Sequence, residues 1–157
     1  MWHPRIKTLK EKKLIGKRIR MLLADNKTSE LWRSFMPERA KVRNKVSTEL
    51  ISMRVYHQPL RMDVHQEFDK WATVEVSNFS YLPDGMESFV LNEGLYAVFD
   101  YKGLNTDNRI FIYIFTEWLP GSGYTLDNRP HFEILGDKYK NNDPESEEEI
   151  WIPIQLK

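Results

Sequence analysis

Cysteine is absent from the 157 residues. That removes any disulfide framework and any thiolate metal site, and it favours a reducing, cytoplasmic setting. Long apolar runs are absent too, since none approaches the roughly 20 residues that a bilayer crossing requires. The basic N-terminal residues are followed by no apolar h-region, so a signal peptide is not expected. Net charge is the third absence, with 23 Lys and Arg against 23 Asp and Glu. The balance is uneven along the chain: residues 1–61 carry 16 basic and 5 acidic side chains, residues 62–157 carry 7 and 18. Such halves neutralise each other within one fold, or they present a basic face to nucleic acid or an acidic partner. Aromatic interleaving in the basic half is slight (Trp2, Trp32, Phe35). The first reading is therefore preferred, and neither direct nucleic-acid binding nor a membrane is expected.

What is present describes a single globular domain over residues 1–157, with 41% hydrophobic and 13% aromatic residues. Met1 to Lys10 reads as an arm or an edge approach. Lys13 to Met21 alternates as a strand, and Gly16 inside it marks a bulge or a close backbone approach. Asn26 to Ser29 offers N-cap side chains. From there Leu31, Trp32, Phe35, Met36 and Ala40 keep helical spacing to about Asn44, with a kink or restart at Pro37. Ile51, Met53 and Val55 alternate with polar partners, as do Ala72, Val74 and Val76, which predicts two half-buried strands. Pro83-Asp84-Gly85 is a turn at the midpoint. The second half repeats the order. Residues 87–101 are extended with a break at Asn92-Glu93-Gly94, a helix runs from Asp107 to Trp118, and residues 130–135 and 149–155 close as strands. Each half reads strand, helix, strand, strand, which makes the fold class α+β.

The stretch Glu117 to Glu133 reads E-W-L-P-G-S-G-Y-T-L-D-N-R-P-H-F-E, and the tail carries I-W-I-P-I at Ile150 to Ile154. Together these resemble the signature of the GyrI-like (gyrase-inhibitor-like) family, the effector-binding domain of bacterial transcription activators. The resemblance is carried by residues 110–157 and extends over 10–109. It implies two modules, about 10–84 and 85–157, related by a pseudo-two-fold. They would share one curved antiparallel sheet with both helices on one side. It also implies a small-molecule ligand, lipophilic or cationic, held in a cleft between the modules. No helix-turn-helix lies in the sequence, so a sensor or sequestering role is expected in place of direct DNA regulation. The family offers two other readings: an inhibitor of a protein partner such as DNA gyrase, and a hydrolase of reactive cyclopropane compounds. Binding is preferred over catalysis.

Glu133 is the leading candidate for ligand contact. In an alternating strand it projects away from Phe132 and Ile134, beside His131 and Leu135. The family places an acidic contact at the glutamate of its R-P-x-F-E motif. A carboxylate among rings attracts organic cations, each ring adding ~0.5–2 kcal/mol. The supporting ligand-binding residues are Tyr56, Tyr96, Tyr113, Trp118, Tyr124 and Trp151, with Glu149 on the Trp151 face. The competing reading of Glu133 is a solvated strand residue paired with an arginine, and that of Trp118 is core packing. Ser122 lacks a nucleophile elbow. His57 and His65 lack metal-ligand spacing, so neither a metal nor a cofactor is expected.

Overall fold

Alternation decides which residues become strands and which face of each is buried. The computed structural model describes residues 2–157. Among them the order is β1 (Arg5–Leu9), β2 (Lys12–Met21), α1 (Thr28–Phe35), β3 (Leu50–Val55) and β4 (Phe68–Val76). The second half contributes β5 (Glu87–Leu91), β6 (Gly94–Lys102), α2 (Arg109–Tyr113), β7 (Tyr124–Leu126), β8 (His131–Leu135) and β9 (Glu147–Leu156). All ladders are antiparallel, in the order β1-β6-β9-β8-β3-β4-β2-β5, with β7 added to β9. The two modules meet at the β3–β8 seam, and the order reads the same outward from it on both sides. That is the pseudo-two-fold implied by the resemblance.

The leading strands are exchanged. β1 precedes β2 yet pairs with β6, while β5 precedes β6 yet pairs with β2. Leu9 faces Gly94 and Lys12 faces Leu91. Three residues on in one strand answer three residues back in the other, so one register crosses both breaks. One face of every strand except β7 feeds a single apolar cluster, including Leu9, Leu14, Met53, Trp71, Tyr96 and Trp151. Eight strands can share one cluster only if the sheet wraps around it. The helices take the other face. Leu31 and Phe35 of α1 pack on Ile15, Ala72 and Val74, and Ile110 and Ile114 pack on Phe99, Ile150 and Ile152.

Both helices change winding at their C-terminal ends, the first of them at a proline. Pro37 has no N–H to donate, so α1 tightens into a 3₁₀ turn over Met36–Lys41. After α2 the chain is wound as a π-helix over Ile114–Trp118, with the Leu119 N–H donating to Ile114 O at 2.8 Å. Asn26 Oδ1 accepts from the Thr28 N–H (2.9 Å) and Asp107 Oδ1 from the Arg109 N–H (3.0 Å), each one residue ahead of the N-cap. The N-caps themselves, Lys27 and Asn108, make no side-chain cap, unlike the expectation. The opposite charges of the two halves meet inside this fold: Arg5 pairs with Asp100 and Glu149, Arg18 with Asp69 and Glu87, Arg20 with Asp69. Among the described residues no helix is long and apolar enough to cross a membrane.

Candidate functional site

The helices sit over the outer strands of the two modules, α1 on β2 and β4 and the second helix on β6 and β9. The central strands β3 and β8 are left between them as a strip of sheet. Pairing fixes what the strip displays. Arg54 stands between Lys70 on β4 and His131 on β8, and one step along, Ser52 stands between Ala72 and Glu133. Glu133 therefore projects where alternation put it, on the helix-bearing face. Glu148 comes from β9 on the same face as Ile150 and reaches Glu133.

The two carboxyl groups interact directly. Burial and the Glu133 charge raise the Glu148 carboxyl far above its ordinary value, and its proton is hydrogen-bonded to Glu133. Two carboxyl groups that interact this strongly do not ionise independently, so the pair shares a proton. Lys70 is 4% exposed, and burial, then Arg54, brings its ammonium down to about 8, with Glu133 and Glu148 opposing. His131 is 9% exposed, and burial lowers its imidazole to about 3, with Arg54 adding to the effect, so the ring is neutral.

Rings flank these groups. The Arg54 guanidinium lies 5.4 Å from the Phe68 ring centre and 5.7 Å from that of Phe111. Tyr56 packs against Phe68 (5.1 Å) and His131 (5.3 Å), and Phe115 approaches His131 at 6.2 Å. At the Glu148 end an open cavity of about 400 Å³ is bordered by Glu49, Tyr101, Ile134, Lys138 and Glu148, within the size range of ligand sites.

Of the eight residues singled out from sequence, Glu133 and Tyr56 meet in this strip. Tyr96 and Trp151 lie in the inner cluster, with the Tyr96 hydroxyl donating to Pro130 O at 2.8 Å. Glu149 shares that inner side, accepting from Trp151 Nε1 (3.0 Å) and from Arg5 (3.1 Å). Trp118 stands edge-on to Phe99 and carries Tyr124 stacked at 6.4 Å, while Tyr113 meets Trp2. Those three rings clothe the second helix.

Most of the signature is therefore architecture. The Ser122 hydroxyl donates to Leu119 O (2.8 Å) and accepts from the Tyr124 N–H (3.1 Å), fixing the helix stop. The motif arginine, Arg129, binds Asp127 and the carbonyls of Leu95 and Ile154, and lies over Tyr96. It fits because Gly94 has no side chain: a Cβ there would stand 2.2 Å from the guanidinium. Sequence reasoning missed Glu148, Lys70, Arg54 and the ring pair Phe111 and Phe115. Glu148 was legible by parity, since it shares a face with Ile150 and Ile152.

The shared proton has a stability consequence. The folded protein holds the Glu148 proton that the unfolded chain releases above about 4.5. This contribution is complete below that pH and falls as pH rises, by up to ~1.4 kcal/mol per unit, until the folded value is reached. Glutamine mimics the protonated acid. Glu148→Gln is expected to raise the thermal midpoint at neutral pH and to flatten its decline on the alkaline side. An unchanged slope in pH-resolved melting would contradict the shared proton.

The two modules and the helices they carry give the fold of a GyrI-like effector-binding protein. Within that class the chain belongs to the family of integron-associated effector binding proteins (Cass2), whose model matches residues 5–154. Solved structures of the same fold include SAV2435 bound to tetraphenylphosphonium, 15% identical over 98% of this chain and 94% of that one, with a TM-score of 0.70. An integron cassette protein of Vibrio cholerae is 16% identical over 97% and 95%, with a TM-score of 0.69. The EcmrR C-terminal domain is 14% identical over 100% and 99%, with a TM-score of 0.73. At these identities the likeness is one of fold. No functionally curated protein sequence matches the chain.

Proposed function

We propose that the chain binds a small lipophilic organic cation in the strip between its helices and serves as a sensor or sequestering protein. One observation carries this: Glu133 and Glu148 come together on the partly buried helix-bearing face, beside rings. A carboxylate so placed is poorly solvated, and an organic cation of low hydration relieves it without demanding ordered water. Phe115 and Tyr56 supply apolar area and negative ring faces. Membership of an effector-binding family and the tetraphenylphosphonium held by SAV2435 support the same reading.

Cation binding should expel the shared proton, because a bound positive charge favours two carboxylates. Calorimetric titration with tetraphenylphosphonium in two buffers of different ionisation enthalpy measures this. Affinity is expected to rise with pH across the neutral range, with up to about one proton released per cation. Absence of binding, or binding without proton release, would sink the reading.

A further inference from the structure

The strip contains more positive charge than a cation site needs. Lys70 and Arg54 are directly opposed on adjacent strands. Among the described residues neither head group has a carboxylate within 4.0 Å, and neither makes a side-chain hydrogen bond. A buried ammonium with no partner is costly, and proteins retain such groups where something else completes them. The only sealed and unpartnered side-chain nitrogen among the described residues is Arg129 Nη1. The Lys70 amine is therefore not sealed, and the charges that act on it are those of Arg54, Glu133 and Glu148. Ser52 lies in the next row, and its hydroxyl, which makes no hydrogen bond, is not sealed either. The Arg54 guanidinium lies over the Phe68 and Phe111 rings, and its N–H fork makes no hydrogen bond.

We propose that the strip has a second pole, made of Lys70, Arg54 and Ser52, that takes an anionic group, and that the ligand is a small aromatic amphoteric molecule with a carboxylate at one end and an amine at the other. The amine end would lie on Glu133 and Glu148, so this rests on the binding reading above and sharpens its ligand class. Spacing agrees. Neighbouring strands are about 5 Å apart and successive same-face residues about 7 Å. Arg54 and Glu133 are one strand and one step apart, close to the span of a single para-substituted ring.

Three probes on one frame test this by calorimetry: para-(aminomethyl)benzoate, benzylammonium and benzoate, with tetraphenylphosphonium as reference. Each is run on the wild type, Lys70→Met, Arg54→Gln and Glu133→Gln, with folding checked by circular dichroism. The amphoteric probe is expected to bind tighter than either singly charged one. Lys70→Met or Arg54→Gln should weaken it at least about 30-fold while leaving benzylammonium as tight or tighter. Two variants are used so that one poorly folded protein does not decide the matter. An amphoteric probe no tighter than benzylammonium, or one indifferent to both variants, overturns the second pole. If all three small probes fail while tetraphenylphosphonium binds, the second pole falls and the cation reading stands. If tetraphenylphosphonium fails as well, both fall.

Discussion

Gly16→Ala is expected to cost at least about 3 kcal/mol, more than ordinary overpacking of a core, and to leave little of the ~5–15 kcal/mol that holds a domain of this size. Gly16 lies in β2 where that strand is paired on both sides, opposite Thr73 of β4 and Glu87 of β5. A Cβ there would come within 1.9 Å of the Ala72 carbonyl oxygen and 2.8 Å of Thr73 Cα. Both are backbone atoms of a central ladder, so no side chain can swing away. Relief requires β2 and β4 to part, and that opens the α1 layer as well as the inner cluster. Urea unfolding followed by circular dichroism measures the effect. A midpoint shift worth less than about 1 kcal/mol would show that the sheet yields there and that the close approach is incidental.

The second large effect is on ligand affinity. Glu133→Gln is expected to weaken tetraphenylphosphonium by about 30-fold to several thousand-fold, the range for removing one partner of a buried charge pair. The variant should remain folded, because glutamine keeps the shape and removes a poorly solvated charge. Glu148 modifies the outcome. Without Glu133 it loses the charge and the hydrogen bond that hold its proton, so it ionises more readily and recovers part of the site at higher pH. Affinity in Glu133→Gln should therefore climb with pH more steeply than in the wild type. In Glu133→Gln/Glu148→Gln that dependence should vanish along with the binding, a non-additive pair. Equal affinity in wild type and Glu133→Gln would place the cation elsewhere.

Particular residues show what could be read before the structure. Local chemistry was readable: Pro37 interrupts α1, Asn92-Glu93-Gly94 separates β5 from β6, and Gly16 marks a close approach. Parity around Phe132 correctly placed Glu133. What was not readable depends on partners far away in the chain. β1 has little apolar pattern of its own and is a strand because residues 94–98 pair with it. Glu149 was chosen because it shares a strand face with Trp151, expected as a ring at the cleft. The wrapped sheet instead puts that ring inside, and parity carries Glu149 with it. Lys70 and Arg54 become neighbours only through the β3–β4 register, which the polar connection between those strands does not announce. The π winding of Ile114–Trp118 has no local sequence cause that we recognise.

The exchange of leading strands also governs the order of assembly. As the chain emerges from synthesis, β1 has no partner until β6 arrives some ninety residues later, and β2 waits almost as long for β5. The first module therefore spends its early life with an unfinished edge, and neither half can reach its final sheet before the other. Contacts at such sequence distance slow folding, because a long loop must close before any pairing rewards it. The β3–β8 seam carrying Ser52 and Glu133 joins the same two halves. A ligand on that strip thus finds a surface only once the whole chain has come together, and its binding reports on completion of the fold.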